Sequence, residues 1–77
     1  MMKIEDYYRM FVDAWRLFRH YYRKPGDPDL EDDEFWKAIV NDQEKFCKRY
    51  PESKLPIEMG LAVITEIERI SKNERSE

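Results

Sequence analysis

Residues 4–22, IEDYYRMFVDAWRLFRHYY, decide the fold of this chain. Apolar side chains recur there at alternating steps of four and three residues, which is the spacing of one face of an α-helix. The pattern predicts a helix over about residues 3–23. We call this first apolar face the central row, and it consists of Ile4, Tyr8, Phe11, Trp15, Phe18 and Tyr22.

A second apolar row lies beside the central row, and it consists of Tyr7, Met10, Ala14, Leu17 and Tyr21. On a helical wheel of 100° per residue, the apolar arc from Leu17 through both rows to Val12 spans roughly 220°. A surface helix needs little more than 100°. We therefore expect the chain to bury the central row through Ile4, Phe11, Trp15, Phe18 and Tyr22, and we expect the second row to form an interface with another copy or another protein. The alternative is that the other two helices lie far enough apart on α1 to bury the whole arc.

The segment 24–29 ends the first helix, because it contains Gly26 between two prolines. A second helix is predicted over about residues 32–50. Asp32 or Asp33 can cap its first turn, where a carboxylate accepts hydrogen bonds from free N–H groups.

A third helix is predicted over about residues 55–72, with Pro56 in its first turn. Residues 73–77 are all polar and are expected to fray. Short connections favour sequential helices packed antiparallel. The prediction is a single all-α domain over residues 1–77, an up-down-up antiparallel three-helix bundle that self-associates.

Composition and charge limit the functional class. The chain has 77 residues, of which 40% are charged and 14% aromatic, and its net charge is −3. An acidic total disfavours nucleic acid and anionic membranes as partners. The chain has one cysteine, no signal-like segment and no long apolar run. We therefore expect a cytoplasmic protein without a membrane span.

The acidic segment 27–34 invites comparison with a calcium-binding loop that starts at Asp27. In that alignment Asp32 takes the place of the required glycine, and Ala38 takes the place of the bidentate glutamate. Solvated acids that cap the second helix are the favoured interpretation. A zinc site needs four Cys or His ligands, whereas the chain has only His20 and Cys47.

Catalytic and cofactor motifs are missing from the sequence. Cys47 lies on the apolar face of the second helix, where a small buried thiol is common, and no base that could activate it is evident. His20 falls on the polar side of the first helix and is expected to be exposed. Two glycines cannot build a phosphate-binding loop. The sequence therefore predicts no enzyme activity, no metal and no cofactor.

A basic row on the first helix is the alternative functional surface. Arg9, Arg16 and Arg23 recur every seven residues, and Arg19 lies beside them. Such a row can contact phosphates of a nucleic acid. The favoured interpretation is that nearby acids, such as Asp13 three residues before Arg16, pair with these arginines.

Two further residues of the predicted core are unusual. Gln43 lies near the middle of the apolar face of the second helix, so its amide is either buried and hydrogen-bonded or reaches past that face to water. A buried amide can set the register or oligomeric state of helices. Gly60 faces inward on the third helix, where we expect it to pack against a ring such as Trp15 or Trp36.

The aromatic spacing of the first two helices, Asp6-Tyr7-Tyr8, Ala14 to Phe18, Tyr21-Tyr22 and then Asp33 to Trp36, resembles short uncharacterised proteins of low-GC Gram-positive bacteria. The resemblance implies a helical domain of unknown function. It implies no activity and no site residues. The function expected from the residues is a non-enzymatic module for self-association or protein interaction.

Overall fold

The computed structural model describes residues 2–73 and contains three α-helices. They are α1 (Ile4–Tyr21), α2 (Asp33–Arg49) and α3 (Leu55–Asn73), with a short 3₁₀ turn at Pro28–Glu31 between α1 and α2. Every pair of α-helices is in contact. Residues 2–73 contain no strand. The predicted three-helix bundle is confirmed. Fraying was expected over residues 73–77, but Asn73 is the last residue of α3, and residues 74–77 lie outside the described residues.

Polar groups at its two ends define α1. The backbone N–H of Lys3 donates to the carboxylate of Asp6 at 2.9 Å, and this carboxylate also lies at the positive end of the helix dipole. At the other end, the guanidinium of Arg23 donates to the carbonyl oxygens of His20 and Tyr22 at 3.0 and 2.9 Å. The helix therefore ends at Tyr21, slightly before the predicted residue 23.

The acidic connection between α1 and α2 is folded. The carboxylate of Asp27 accepts a hydrogen bond from the backbone N–H of Asp29 at 2.9 Å. The ring N–H of Trp36 donates to the carbonyl of Leu30 at 2.9 Å, and the Leu30 side chain is buried. This turn was not predicted from the sequence, although Asp27 before Pro28 is a local signal for it.

Side-chain oxygens cap the starts of α2 and α3. The carboxylate of Asp32 accepts from the backbone N–H of Glu34 at 3.0 Å, which confirms Asp32 as the cap of α2. The hydroxyl of Ser53 accepts from the backbone N–H of Leu55 at 3.1 Å. Both caps satisfy donors that the first helical turn leaves free.

Two tyrosine–aspartate hydrogen bonds align α1 with α2. The Tyr50 hydroxyl donates to Asp13 at 2.6 Å, and the Tyr21 hydroxyl donates to Asp42. The end of α2 therefore contacts the middle of α1, and the end of α1 contacts the middle of α2. The two helices are antiparallel. Asp13 also lies 3.4 Å from the guanidinium of Arg49, rather than pairing with Arg16 as expected.

The core is formed by side chains from all three helices and the 3₁₀ turn. The side chains of Met10, Ile39 and Ile67 have no exposed surface, one from each α-helix. The side chains of this core cluster are Met10, Ala14, Leu17, Tyr21, Leu30, Phe35, Ile39, Phe46 and Ile67.

The core uses the second row of α1, and the expectation that the central row is buried was wrong. Trp15 and Phe11 are each 57% exposed, whereas Ala14 and Leu17 are each 8% exposed. The distance between packed helices depends on the side chains at the contact. Ala14 lets the other helices approach α1 closely, whereas an indole at this position would hold them apart.

Among the described residues, none of the helices combines the length and the apolar character that crossing a lipid bilayer requires.

We expect the double substitution Met10→Glu with Leu17→Glu to unfold the chain, because it places two carboxylates in the core. Burying an unpaired charge costs several kcal/mol, and a small domain has only about 5–15 kcal/mol in total. Circular dichroism should show loss of helix. The same change at Phe11 and Trp15 is the matched control and should leave the helical signal intact.

The Tyr21 hydroxyl makes stability depend on pH. Burial, with a smaller contribution from the hydrogen bond to Asp42, raises the pKa of Tyr21 to about 12. The unfolded chain loses this proton near pH 10. The stabilisation of the folded chain by the protonated Tyr21 hydroxyl is therefore complete below pH 10 and is lost as the pH rises towards 12. Urea unfolding at pH 9 and pH 11 should show a loss on the order of 1–2 kcal/mol. Tyr21→Phe should make the loss smaller, and an equal loss in both proteins would contradict the assignment.

Candidate interaction surface

The central row of α1 forms a line of exposed apolar side chains that we call the aromatic stripe. Its residues lie within an arc of about 80° on one side of α1. Ile4 is 77% exposed and Tyr8 is 72% exposed, and Tyr22, at the C-terminal cap, is 45% exposed. Only Phe18 in this row is half-buried, and it packs against the core. The stripe is therefore an exposed surface that contacts the core through Phe18.

The rings of the stripe pack against each other along α1. The centroids of Trp15 and Phe18 lie 6.2 Å apart, and those of Phe18 and Tyr22 lie 5.8 Å apart. Both distances are in the range of favourable aromatic pairs. Since Phe18 is held by the core, these contacts order the neighbouring rings before any partner binds, which lowers the entropy cost of association.

The exposed area of the stripe is large for a small domain. An aromatic side chain offers about 150–250 Å², so the exposed parts of the stripe amount to on the order of 600 Å². The largest apolar patch of a typical monomer covers about 300–600 Å² and is often functional. The stripe is therefore the strongest candidate for a functional surface among the described residues.

The residues that were predicted from the sequence to form the interface are not exposed. Met10, Ala14, Leu17 and Tyr21 are buried, and Tyr7 is half-buried against the core. Helical spacing shows how wide the apolar arc is, but it does not show which half the other helices cover. The small side chain of Ala14 was the available signal, because a close helix contact needs one.

The basic row is divided by the fold. Arg9, Arg16 and Arg19 are exposed. The guanidinium of Arg23 pairs with Asp29 at 2.9 Å and lies 5.1 Å from the centre of the Phe35 ring. Arg23 thus stabilises the connection between α1 and α2. Only Arg9, Arg16 and Arg19 of the phosphate-binding row that the sequence predicted are exposed.

Gln43 and Gly60 meet where α2 packs on α3. Gln43 is half-buried, and its amide donates to the Cys47 sulfur at 3.2 Å. A Cβ atom at Gly60 would lie 2.4 Å from Cγ of Gln43. The expectation that Gly60 packs against a tryptophan was therefore wrong, because the close neighbour is Gln43.

Cys47 and His20 are not brought into a shared site. The Cys47 thiol is half-buried rather than buried, and burial, followed by the charge of Glu44, raises its pKa. The thiol therefore stays protonated at neutral pH. His20 is exposed, as expected, with its ring 4.7 Å from that of Tyr21.

Comparison with known proteins finds no matching protein family, no matching curated protein and no matching solved structure. The resemblance to short Gram-positive proteins therefore stays a prediction.

We predict that Gly60→Ala destabilises the chain, although alanine is normally favoured over glycine in a helix by about 1 kcal/mol. The added methyl group would collide with Gln43. In a Gln43→Ala background the collision is removed, so Gly60→Ala should then stabilise by about 1 kcal/mol. Urea unfolding of the native chain, the two single variants and the double variant measures this coupling. If the two substitutions change the free energy of unfolding additively, the contact between Gly60 and Gln43 is contradicted.

Proposed function

We propose that this chain is a non-catalytic helical module that works by protein association through the aromatic stripe, and that it associates with copies of itself. The supporting observation is the stripe, whose Ile4, Tyr8, Phe11 and Trp15 side chains are all more than half exposed. Exposing such a surface to water is unfavourable by roughly 25 cal/mol per Å². A cytoplasmic location is part of the proposal.

The chemistry of the stripe suits a protein partner. The centres of protein interfaces are enriched in aromatic residues and depleted of charged ones, and no charged residue interrupts the row from Ile4 to Tyr22. A nucleic acid would instead use the basic row. That surface is less favoured, since Arg23 is engaged by Asp29 and the net charge is −3.

The area of the stripe is sufficient for a dimer. Two stripes that cover each other completely would bury roughly 1,200 Å², the lower limit for stable, specific interfaces. A two-fold dimer is the commonest way for one surface patch to cover itself. Because the core uses the other row of α1, the chain can fold without the dimer contact.

The test is the mass in solution. At micromolar concentration, light scattering after size exclusion should give twice the chain mass of 9.5 kDa. Phe11→Glu with Trp15→Glu should give the monomer mass with unchanged helix content, because the charges lie at the centre of the stripe.

The matched control is Ile57→Glu with Leu61→Glu. These side chains lie on α3 and are 48% and 55% exposed, so the control adds the same charges to another apolar surface. It should leave the dimer intact. A native chain that is monomeric over the whole micromolar range contradicts the proposal, as does a dimer that only the α3 control splits.

A further inference from the structure

We infer that the stripe of one chain is covered by the stripe of a second copy, with the two α1 helices antiparallel about a two-fold axis near residues 12 and 13. This inference rests on the proposed function and adds the arrangement of the two chains. Three observations carry it, namely the spacing of the stripe, the charges on its solvent side and the area that it offers.

The spacing of the stripe is symmetric about its centre. The steps from Ile4 to Tyr22 are four, three, four, three and four residues, which read the same from either end. Turning α1 end for end therefore places Ile4 opposite Tyr22 of the second copy. Tyr8 then meets Phe18 of the second copy, and Phe11 meets Trp15 of the second copy. Each contact layer contains at least one aromatic ring, so the stripe can cover itself along its whole length.

The residues beside the stripe have opposite charges at its two ends. Glu5, Val12 and Arg19 are spaced seven residues apart and so form one line along the edge of the stripe opposite the buried row, and Val12 in the middle of this line is half-buried. Glu5 and Arg19 are exposed, and neither takes part in an ion pair within residues 2–73. An acid and a base are thus available at opposite ends of the contact.

Only the antiparallel arrangement uses both charges. It brings Glu5 of each chain to Arg19 of the other, and it brings the two Val12 side chains together at the axis. In a parallel pair of helices, this line would face the opposite edge of the partner's stripe, which carries Tyr7, Ala14 and Tyr21. That edge offers no charged partner for Glu5 or Arg19.

The area also fits a second copy. The stripe supplies about half of the roughly 1,200 Å² that a stable interface needs. The stripe of another copy supplies the other half with matched chemistry and length.

The first experiment maps the orientation by cross-linking. In a Cys47→Ala background, one chain carries Ile4→Cys and another carries Tyr22→Cys, and the mixture is oxidised mildly. The antiparallel dimer should give the mixed covalent dimer, identified by mass spectrometry, in clear excess over either homodimer. Ile4→Cys alone should give little covalent product. A dominant link between two Ile4→Cys chains would mean a parallel dimer and would overturn the inference.

The second experiment tests the charges. Glu5→Arg and Arg19→Glu should each weaken the dimer by about three- to tenfold at low salt, because each creates like-charged pairs at both ends. The chain with both substitutions should recover native affinity, since the pairs are restored with their signs exchanged. Lys48→Glu, a charge change at an exposed position of α2, is the control and should have a smaller effect.

The outcomes separate the two proposals. A monomeric native chain contradicts self-association itself. A second outcome is a native dimer whose affinity is unchanged by the Glu5 and Arg19 substitutions and which gives no mixed cross-link. That result supports self-association but overturns the antiparallel arrangement.

Discussion

The contact of Met10, Ala14 and Leu17 with the other two helices is the interaction on which the rest of the structure depends. The apolar arc of α1 spans roughly 220°, and in this chain the other two helices cover the part of it that contains this row. Most of the neighbouring row stays outside the bundle, with Phe11 and Trp15 each 57% exposed, and only Phe18 reaches the core. The exposed stripe is thus a consequence of how the core is built.

The buried row is also the one whose polar atoms find partners inside the bundle. Tyr21 lies in this row, and its hydroxyl donates to Asp42 across the helix contact. A second hydrogen bond joins the same two helices in the opposite direction, because the hydroxyl of Tyr50 at the end of α2 donates to Asp13 of α1 at 2.6 Å. A buried hydroxyl without an acceptor would cost about 1–3 kcal/mol. Trp15 and Tyr8 remain at the surface, where water can satisfy their polar atoms.

Features decided by neighbouring residues could be predicted from the sequence. The lengths of the helices, the cap at Asp32 and the end of α1 before Gly26 follow from local hydrogen bonding and backbone preferences. The choice between the two rows of α1 could not be predicted in this way. It depends on where α2 and α3 lie, and both rows have the same helical period.

The errors at other positions have the same origin. The 3₁₀ turn has a local cap at Asp27, but its position against α2 is set by the hydrogen bond from Trp36 to Leu30, a contact with the helix that follows it. Gly60 was correctly expected at a close contact, but the residue that fills the space is Gln43. A glycine in a helix indicates that something approaches closely, and its identity depends on the register of two helices.

The division of α1 into two rows separates the residues that fold the chain from those of the proposed association. The charges show the same division, because Asp13, Arg23 and Asp29 are engaged in contacts within the chain. Glu5 and Arg19 remain available beside the stripe. Since association would use side chains that the core does not need, a change in the stripe can alter binding with little effect on the fold. A small chain can thus support a specific contact on a helix whose other side already holds the domain together.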